Sequence, residues 1–357
     1  MGQYWRIFNF DDSQECPVSG AKLGEFFWDP VQFCNLSRLL TLPRCIRGPS
    51  PIIGWASESK SDGPLAIARR NARNSRSKLL QLPVEIIWMI LDKIETARDL
   101  LCFCLAHQLI GEVGETMVYN MFVEWYAPWQ GCRIACIGDY TNDDDYPATL
   151  QTCVTHELAR ERKSLQEQEG TEDSEDSSEL AISKYGFYSL ASERYTTIRR
   201  VADISYAVER LFKSVSLTPN DQRKYNNLME ALLLFSEGGS MADTNTPTVL
   251  CNLSKGVYVR GDAVADLHKK LALPLARPGL ALTVGIAFDQ VLLSQICWSS
   301  DSNCSMDCDM QRLTRGPWAG DEFEITWLDK MRDDITWSDV TDVVLAWVEE
   351  LWESSWV

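Results

Sequence analysis

Apolar residues recur at helical spacing from Leu82 to Tyr126, and this stretch constrains the fold more strongly than any other. Pro83 suits the first turn of a helix. The first apolar stripe consists of Ile86, Ile87, Ile90, Leu91 and Ile94. A second stripe follows, and Gly111 and Gly114 then separate it from a third. The spacing predicts three short helices that form one compact module over residues 79–126.

The sequence contains two copies of a Trp-x-Gly phrase. One copy directly follows the helical module, and the other lies near the end of the chain. The first copy, WQGCRIACIGDY, begins at Trp129, and the second, WAGDEFEITWLD, runs from Trp318 to Asp329. The residues after the first glycine alternate as in a strand. We predict that the two copies pair or pack in one β-containing domain. Two short copies are too few to indicate a repeat architecture.

The remaining C-terminal segments mix strand and helix patterns. The runs VLCNLSKGVYVR and VLLSQICWS are strand-like. The last segment predicts an amphipathic helix capped by Thr336 and Asp339. Its apolar face is expected to contain Val340, Val343, Val344, Trp347 and Leu351. Together these patterns predict an α+β fold.

Changes in composition divide the chain into segments. They are an aromatic N-terminal segment packed on the main body (1–56), a basic linker (57–78), the helical module (79–126), a strand-containing part of the α+β domain (127–156), an acidic disordered loop (157–180), and a helical and α+β C-terminal domain (181–357). The basic linker is interpreted as a solvated connection, with a nuclear-import or docking patch as the alternative. Disorder is expected in the acidic loop because nothing in it can bury a face.

Charge excludes some classes of partner. The formal net charge of −17 repels phosphate backbones and anionic lipid surfaces, so we expect neither nucleic acid nor membrane as a partner. The chain lacks an apolar stretch of about 18 residues, and its first residues lack the pattern of a secretory signal. An intracellular protein, cytoplasmic or nuclear, is therefore predicted.

Catalytic and metal-binding motifs are scarce. The 12 cysteines suit reduced thiols, and three histidines leave little room for imidazole chemistry. No nucleophile elbow, phosphate-binding loop or dinucleotide fingerprint occurs. The cysteine pairs Cys132/Cys136 and Cys304/Cys308 do not complete a zinc site. We therefore expect no catalytic residue, no metal and no cofactor.

The phrase LLQLPVEIIWMILDKIETARDLLCFCLAHQL resembles the F-box. The shared features are a Leu-Pro-x-Glu-Ile opening, an Ile-Leu pair at the end of the first helix and an Asp-Leu-Leu start to the second. In that family the helices dock on the small adaptor subunit of cullin-type ubiquitin ligases. The resemblance implies a docking face made of Leu82, Pro83, Ile86, Ile90, Leu91, Leu100 and Leu101. Physically, a Leu-Pro edge beside an apolar helix stripe can fill a hydrophobic groove on a partner.

This resemblance sharpens the fold and function hypotheses. The fold class becomes an F-box-like helical module set in or beside a mixed α+β domain. The leading hypothesis is an interaction adaptor that recruits an unknown protein substrate to a cullin-type ligase. The alternative is a scaffold protein whose helical unit belongs to its own core. A third possibility, an enzyme, would be favoured if Asp139, Arg260, Asp262 and Asp321 surrounded one pocket.

The whole chain also resembles a group of basidiomycete-type fungal proteins without an established activity. The matching phrases are MGQYWRIFNFD, KLGEFFWDP, WQGCRIACIGDY, NLSKGVYVRGDA, QICWSSDSNCSM and GPWAGDEFEITWLD. Members of that group often carry an F-box-like segment before the first Trp-x-Gly phrase. They frequently read Trp-Ala-Gly-Asp there, whereas this chain has Cys132 in place of the acid. The resemblance therefore implies no essential acid at this position.

Overall fold

The structure, a computed structural model, divides the chain into two compact units. The described residues are 2–17, 20–28, 36–42, 77–94, 97–169, 186–198, 247–277, 280–303, 306 and 308–355. Unit 1 comprises Met1–Leu40, Trp129–Arg200 and Thr246–Val357, and unit 2 comprises Thr41–Pro128 and Val201–Asn245. Most of the predicted basic linker, 57–76, lies outside the described residues.

The described elements form the α+β architecture that the sequence predicts. The strands are β1 Trp5–Asn9, β2 Gln14–Glu15, β3 Arg133–Gly138, β4 Thr196–Thr197, β5 Thr248–Asn252, β6 Val257–Arg260, β7 Leu273–Arg277, β8 Leu280–Val284, β9 Cys297–Trp298, β10 Asp321–Trp327 and β11 Ser338–Asp339. The helices are α1 Leu23–Trp28, α2 Leu36–Leu40, α3 Val84–Leu91, α4 Ala97–Ala106, α5 Gln108–Tyr126, α6 Ala148–Glu169, α7 Phe187–Arg194, α8 Gly261–Leu271, α9 Phe288–Ile296, α10 Met310–Leu313 and α11 Thr341–Ser355. Short 3₁₀ helices cover Leu79–Gln81 and Leu328–Lys330.

Nine strands of unit 1 form one mixed sheet in the order β11-β6-β5-β10-β3-β1-β2-β4, with β9 beside β3. The pairs β11–β6, β2–β4 and β3–β9 are parallel, and the other neighbours are antiparallel. Strands β1, β3 and β5 are buried almost throughout. Both faces of the central sheet are therefore covered. Strands β7 and β8 form a separate hairpin.

The run VLLSQICWS, predicted as a strand, is mostly helix α9. Every residue from Asp289 to Ile296 is buried. The helix therefore has no solvent-exposed side that would give its sequence an amphipathic pattern. The side chain of Gln290 accepts the Ala287 backbone N–H at 2.8 Å and caps the helix start. A short segment that is buried on every side has no periodicity that separates a strand from a helix. The strand prediction was therefore wrong from Val291 to Ile296, whereas Cys297 and Trp298 do form strand β9.

Helix α6 occupies the first part of the predicted acidic loop. It continues to Glu169, although the sequence predicts a loop from residue 157 onward. Leu158 anchors the helix in the core of unit 1, and Glu161 forms an ion pair with Arg194 of α7. Charged residues of high helix propensity continue a helix once part of it is anchored. The remainder of the predicted loop, 170–180, lies outside the described residues.

The two Trp-x-Gly phrases pair, as the sequence predicts. Strands β3 and β10 are antiparallel, with Ile134 opposite Asp321. The Gly131 N–H donates to Phe323 O at 2.8 Å, and the Gly320 N–H donates to Ile134 O at 2.9 Å. Each hydrogen bond is the counterpart of the other, so a local two-fold axis relates the two phrases.

The same relation extends to the β-hairpin that precedes each phrase. Hairpin β1–β2 lies beside β3, and hairpin β5–β6 lies beside β10. Four hydrogen bonds of the first hairpin recur in the second. Phe10 N to Arg133 O corresponds to Leu253 N to Glu322 O, and Asp12 N to Asn9 Oδ1 corresponds to Lys255 N to Asn252 Oδ1. Thr196 N to Ser13 O corresponds to Ser338 N to Gly256 O, and Asp139 N to Tyr4 O corresponds to Leu328 N to Pro247 O. We name β1, β2, β3 and β4 the first repeat, and β5, β6, β10 and β11 the second repeat.

Unit 2 interrupts the first repeat between α2 and β3. In unit 1, Leu39 O accepts the Trp129 N–H at 3.0 Å, so the chain leaves this unit and re-enters it at neighbouring points. In the second repeat the equivalent bond joins Gln295 O to the Trp318 N–H at 2.9 Å. The second repeat makes the same connection with a shorter segment of chain.

Unit 2 contains the three predicted helices α3, α4 and α5. Gly111 and Gly114 lie inside α5, although the sequence predicts that they separate two helices. At Gly114 a Cβ would stand 2.5 Å from Cys104 Sγ of α4 and 3.1 Å from Leu91 Cδ1 of α3. This glycine therefore permits the close approach of all three helices, which explains its place within a helix.

Candidate interaction surface

The Leu-Pro edge of unit 2 is built by a change from 3₁₀ to α-helix. Leu82 ends the 3₁₀ turn, and its N–H donates to Leu79 O at 3.2 Å. Pro83 follows with φ −54°, and its carbonyl accepts the N–H groups of Ile86 and Ile87, which starts α3. Proline suits this position because its fixed φ matches the helix start and its missing N–H needs no partner.

Three of the predicted docking residues are exposed. Leu82 is 37% exposed and Ile86 is 40% exposed, and Pro83 is exposed between them in the chain. Ile90, one helical turn after Ile86, is half-buried. These apolar side chains lie on the outer side of α3.

The other predicted docking residues differ in their burial. Leu91 is 1% exposed and Leu100 is 8% exposed, so both pack beneath the surface instead of forming it. Ile87 shares the inner side of α3 with Leu91 because the two are one helical turn apart. The side chain of Leu101 lies outside the described residues. The seven predicted residues therefore do not form one surface, since Leu91 and Leu100 stabilise the module from within.

Two exposed apolar residues of α3 were missed by the sequence reasoning. Met89 is 57% exposed and Trp88 is 48% exposed. Met89 lies three positions after Ile86 and shares its side of the helix. Trp88 points roughly 160° away from Ile86, because successive residues turn by about 100°. The helical spacing could have identified Met89 as a neighbour of Ile86. We name Leu82, Pro83, Ile86 and Met89 the docking edge.

Of the four charged residues that would favour an enzyme, Arg260 and Asp262 pair with each other, and the other two lie elsewhere in unit 1. Arg260 lies 3.9 Å from the Asp262 carboxylate and also faces Asp339 at 3.4 Å. Asp321 binds Lys255 at 2.6 Å and faces Ile134, at the start of β3. Asp139 follows the opposite end of that strand. The four residues therefore do not meet around one pocket.

Burial raises the pKa of several described thiols, among them Cys104 and Cys132. Burial raises the pKa of Cys104 in unit 2 to about 12. Burial and the nearby Asp12 carboxylate raise the pKa of Cys132 in unit 1 to about 12. Both therefore remain thiols at neutral pH and are poor nucleophiles.

The described ranges hold no group of three or more His, Cys, Asp or Glu residues placed to bind a metal ion. Among the described helices, none combines the length and the apolar character needed to cross a bilayer. The chain matches no protein-family model, no curated protein and no solved structure.

Proposed function

We propose that this chain is an interaction adaptor whose helical module docks, as an F-box does, on the adaptor subunit of a cullin-type ubiquitin ligase. The observation that supports this proposal is the docking edge of exposed apolar residues at the start of α3. Ile86 and Met89 are 40% and 57% exposed, while Ile87 and Leu91 fix the same helix in the module. An exposed apolar strip on an anchored helix suits a hydrophobic groove on a partner. The α+β unit would then present a protein substrate.

Binding to the purified ligase adaptor subunit tests this function directly. Ile86→Lys places a charge in the centre of the docking edge, and we expect binding to weaken about tenfold or more. Trp88→Lys is the matched control, since it replaces an equally exposed apolar side chain on the other side of α3. We expect that variant to bind within about twofold of the wild type. Isothermal titration calorimetry measures both.

A scaffold protein whose helical unit serves only its own core is the alternative. The burial of Leu91 and Leu100 favours it, because these residues were expected on the docking face. Under this alternative the wild type does not bind the ligase subunit, and Ile86→Lys has no binding to lose. Leu91→Ala separates folding from docking, since it should cost about 2–4 kcal/mol of stability by opening a cavity. Ile86→Lys should cost much less, because its side chain is already partly solvated.

A further inference from the structure

Two exposed tyrosines lie where β1 begins and β3 ends in the first repeat. Tyr4 is 49% exposed and Tyr140 is 45% exposed. The Tyr4 N–H donates to Asp139 Oδ1 at 2.9 Å, and Tyr4 O accepts the Asp139 N–H at 2.9 Å. Tyr140 follows Asp139 directly, so both tyrosines flank one carboxylate. We name Tyr4, Asp139, Tyr140 and the neighbouring Asp301 the aromatic corner.

A buried glutamine fixes the loop that contains Asp301. Gln3 is 1% exposed, and its Nε2 donates to the carbonyls of Asp301 at 2.9 Å and Asn303 at 3.1 Å. The Ser299 hydroxyl donates to Gln3 Oε1 at 2.7 Å. Asp301, Ser302 and Asn303 remain exposed. The corner is therefore a preorganised surface of tyrosine and small polar residues, a composition that suits protein recognition.

The second repeat shows that the architecture does not require these tyrosines. At its equivalent corner the Leu328 N–H donates to Pro247 O at 3.0 Å, the counterpart of the bond from Asp139 to Tyr4. Leu328 thus takes the place of Asp139, and Asp329 takes the place of Tyr140. The same backbone geometry forms without an exposed aromatic side chain. Asp139 has a structural role that Leu328 does not need, because it accepts the N–H of Tyr4, a donor that Pro247 lacks. The two exposed tyrosine rings are therefore what the first repeat adds at this corner.

The charge around the corner favours a cationic ligand. Besides Asp139, its two loops carry the exposed residues Asp144 and Asp301. On the same loops Asp143 accepts the Phe187 N–H, and Asp145 forms an ion pair with Arg315. Burial raises the pKa of Asp139, and the Tyr4 N–H and the nearby Lys22 oppose this shift. Lys22 Nζ already stands 3.4 Å from the Tyr4 ring centroid, so a cationic ligand would stack on the other face of that ring or on the ring of Tyr140. The net charge of −17 adds long-range attraction for a basic partner.

We infer that the aromatic corner binds a segment rich in Arg and Lys on a partner protein. A guanidinium can stack on a tyrosine ring and donate two hydrogen bonds to a carboxylate, which matches the side chains present. This inference rests on the proposed function, in which the α+β unit holds the protein brought to the ligase. It assigns that substrate a basic recognition segment.

The test uses the full-length chain and a fluorescein-labelled peptide of repeating Gly-Arg-Ser-Lys units. Fluorescence anisotropy compares the wild type with Asp139→Asn/Tyr140→Ser. The matched control is Leu328→Ser/Asp329→Asn, which removes one carboxylate and one exposed side chain at the equivalent corner. We expect the first double variant to bind about tenfold more weakly and the control to stay within about twofold of the wild type. A peptide of repeating Gly-Glu-Ser-Asp units should not bind.

Equal weakening in both double variants would overturn the inference, because it would show attraction by net charge alone. Equal binding of the acidic peptide would overturn it too. Tyr140→Ser alone keeps every charge and should still weaken binding of the basic peptide. An unchanged affinity would contradict the inference that the tyrosine ring takes part in binding. Ile86→Lys should bind the basic peptide like the wild type. If the wild type does not bind the ligase subunit but binds the basic peptide in preference to the acidic one, the proposed function is wrong while the inference about the aromatic corner is supported.

Discussion

The two repeats of unit 1 have the same backbone hydrogen bonds but different side chains at equivalent positions. In the second repeat, Asp321 is buried and binds both Lys255 and Asn252. In the first repeat, Cys132 stands at the position of Asp321, and Asp12 stands at the position of Lys255. The ion pair of one repeat is thus replaced by a thiol and an exposed carboxylate in the other. Main-chain geometry, and not a particular ion pair, defines the repeated unit.

The glycines of the two Trp-x-Gly phrases give the largest expected difference between the repeats. Both have positive φ, 71° at Gly131 and 79° at Gly320, so alanine is strained at either position. At Gly320 a Cβ would also lie 2.5 Å from Thr149 Oγ1 and 2.6 Å from Leu150 Cγ. At Gly131 the nearest side-chain atom is 3.9 Å away. We expect Gly320→Ala to cost about 3 kcal/mol or more and Gly131→Ala about 1 kcal/mol.

Urea unfolding of the two glycine variants measures this difference. Similar losses at the two glycines would show that helix α6 moves away from the second phrase at little cost. A larger loss at Gly131 would contradict the geometry of the first phrase.

A smaller difference is expected at Asp321 and Cys132. Asp321→Ala leaves the amide of the fully buried Asn252 without its acceptor, and Lys255 loses its partner but rehydrates because it is partly exposed. The expected cost is about 2 kcal/mol. Cys132→Ala removes only a partly exposed thiol and should cost less than about 1 kcal/mol. Thermal unfolding of the two variants, with Asp321→Asn as a shape-conserving control, checks this order. Equal losses would show that the Asp321 interactions add nothing to the second repeat.

The pH dependence of stability is expected to respond to Asp289, which joins the helices preceding the two phrases. Its carboxylate, at the start of α9, accepts the N–H of Ser37 in α2 at 3.0 Å and its hydroxyl at 2.6 Å. Burial raises the pKa of Asp289, although the bonds from Ser37 oppose this. Its contribution to stability is therefore fully present below the pKa of the unfolded chain and is lost as the pH rises through the folded value.

Asp289→Asn removes this titration and keeps an acceptor for Ser37. We expect the stability of the variant relative to the wild type to increase as the pH rises from acid to neutral. Urea unfolding at a series of pH values measures the difference. If the difference in stability between the variant and the wild type stays constant across the pH series, the bonds from Ser37 stabilise the charged Asp289 carboxylate enough to offset its burial.

The sequence predicted those parts of the fold in which local pattern and packing agree. The pairing of the Trp-x-Gly phrases followed from their matching residues, and the strands β5 and β6 lie in VLCNLSKGVYVR, which was predicted to be strand-like. The hairpins β1–β2 and β5–β6 share only Asn9 and Asn252 between their first strands, because the equivalence lies in main-chain hydrogen bonds. No sequence pattern could reveal it.

Burial explains the error at the C-terminal helix. The helix begins at Thr341, after the edge strand β11, because Asp339 accepts the Thr341 N–H at 2.9 Å. Val343, predicted on its apolar face, is 71% exposed, whereas Val344 is buried. Helical spacing groups residues on one side of a helix but does not say which side faces the core.

The smallest expected effect comes from installing the charges of the second repeat in the first. Asp12 Oδ2 lies 3.5 Å from Cys132 Sγ, so Cys132→Asp alone brings two carboxylates together and should cost about 1 kcal/mol. Asp12→Lys/Cys132→Asp recreates the Lys255–Asp321 pair at the equivalent position. We expect the double variant to return within about 0.5 kcal/mol of the wild type, a coupling typical of partly exposed ion pairs. Urea unfolding of the four proteins in this double-mutant cycle measures the coupling. If the stability losses of the two single variants simply add in the double variant, positions 12 and 132 are not spaced like Lys255 and Asp321. The side-chain equivalence of the repeats would then be limited to Asn9 and Asn252.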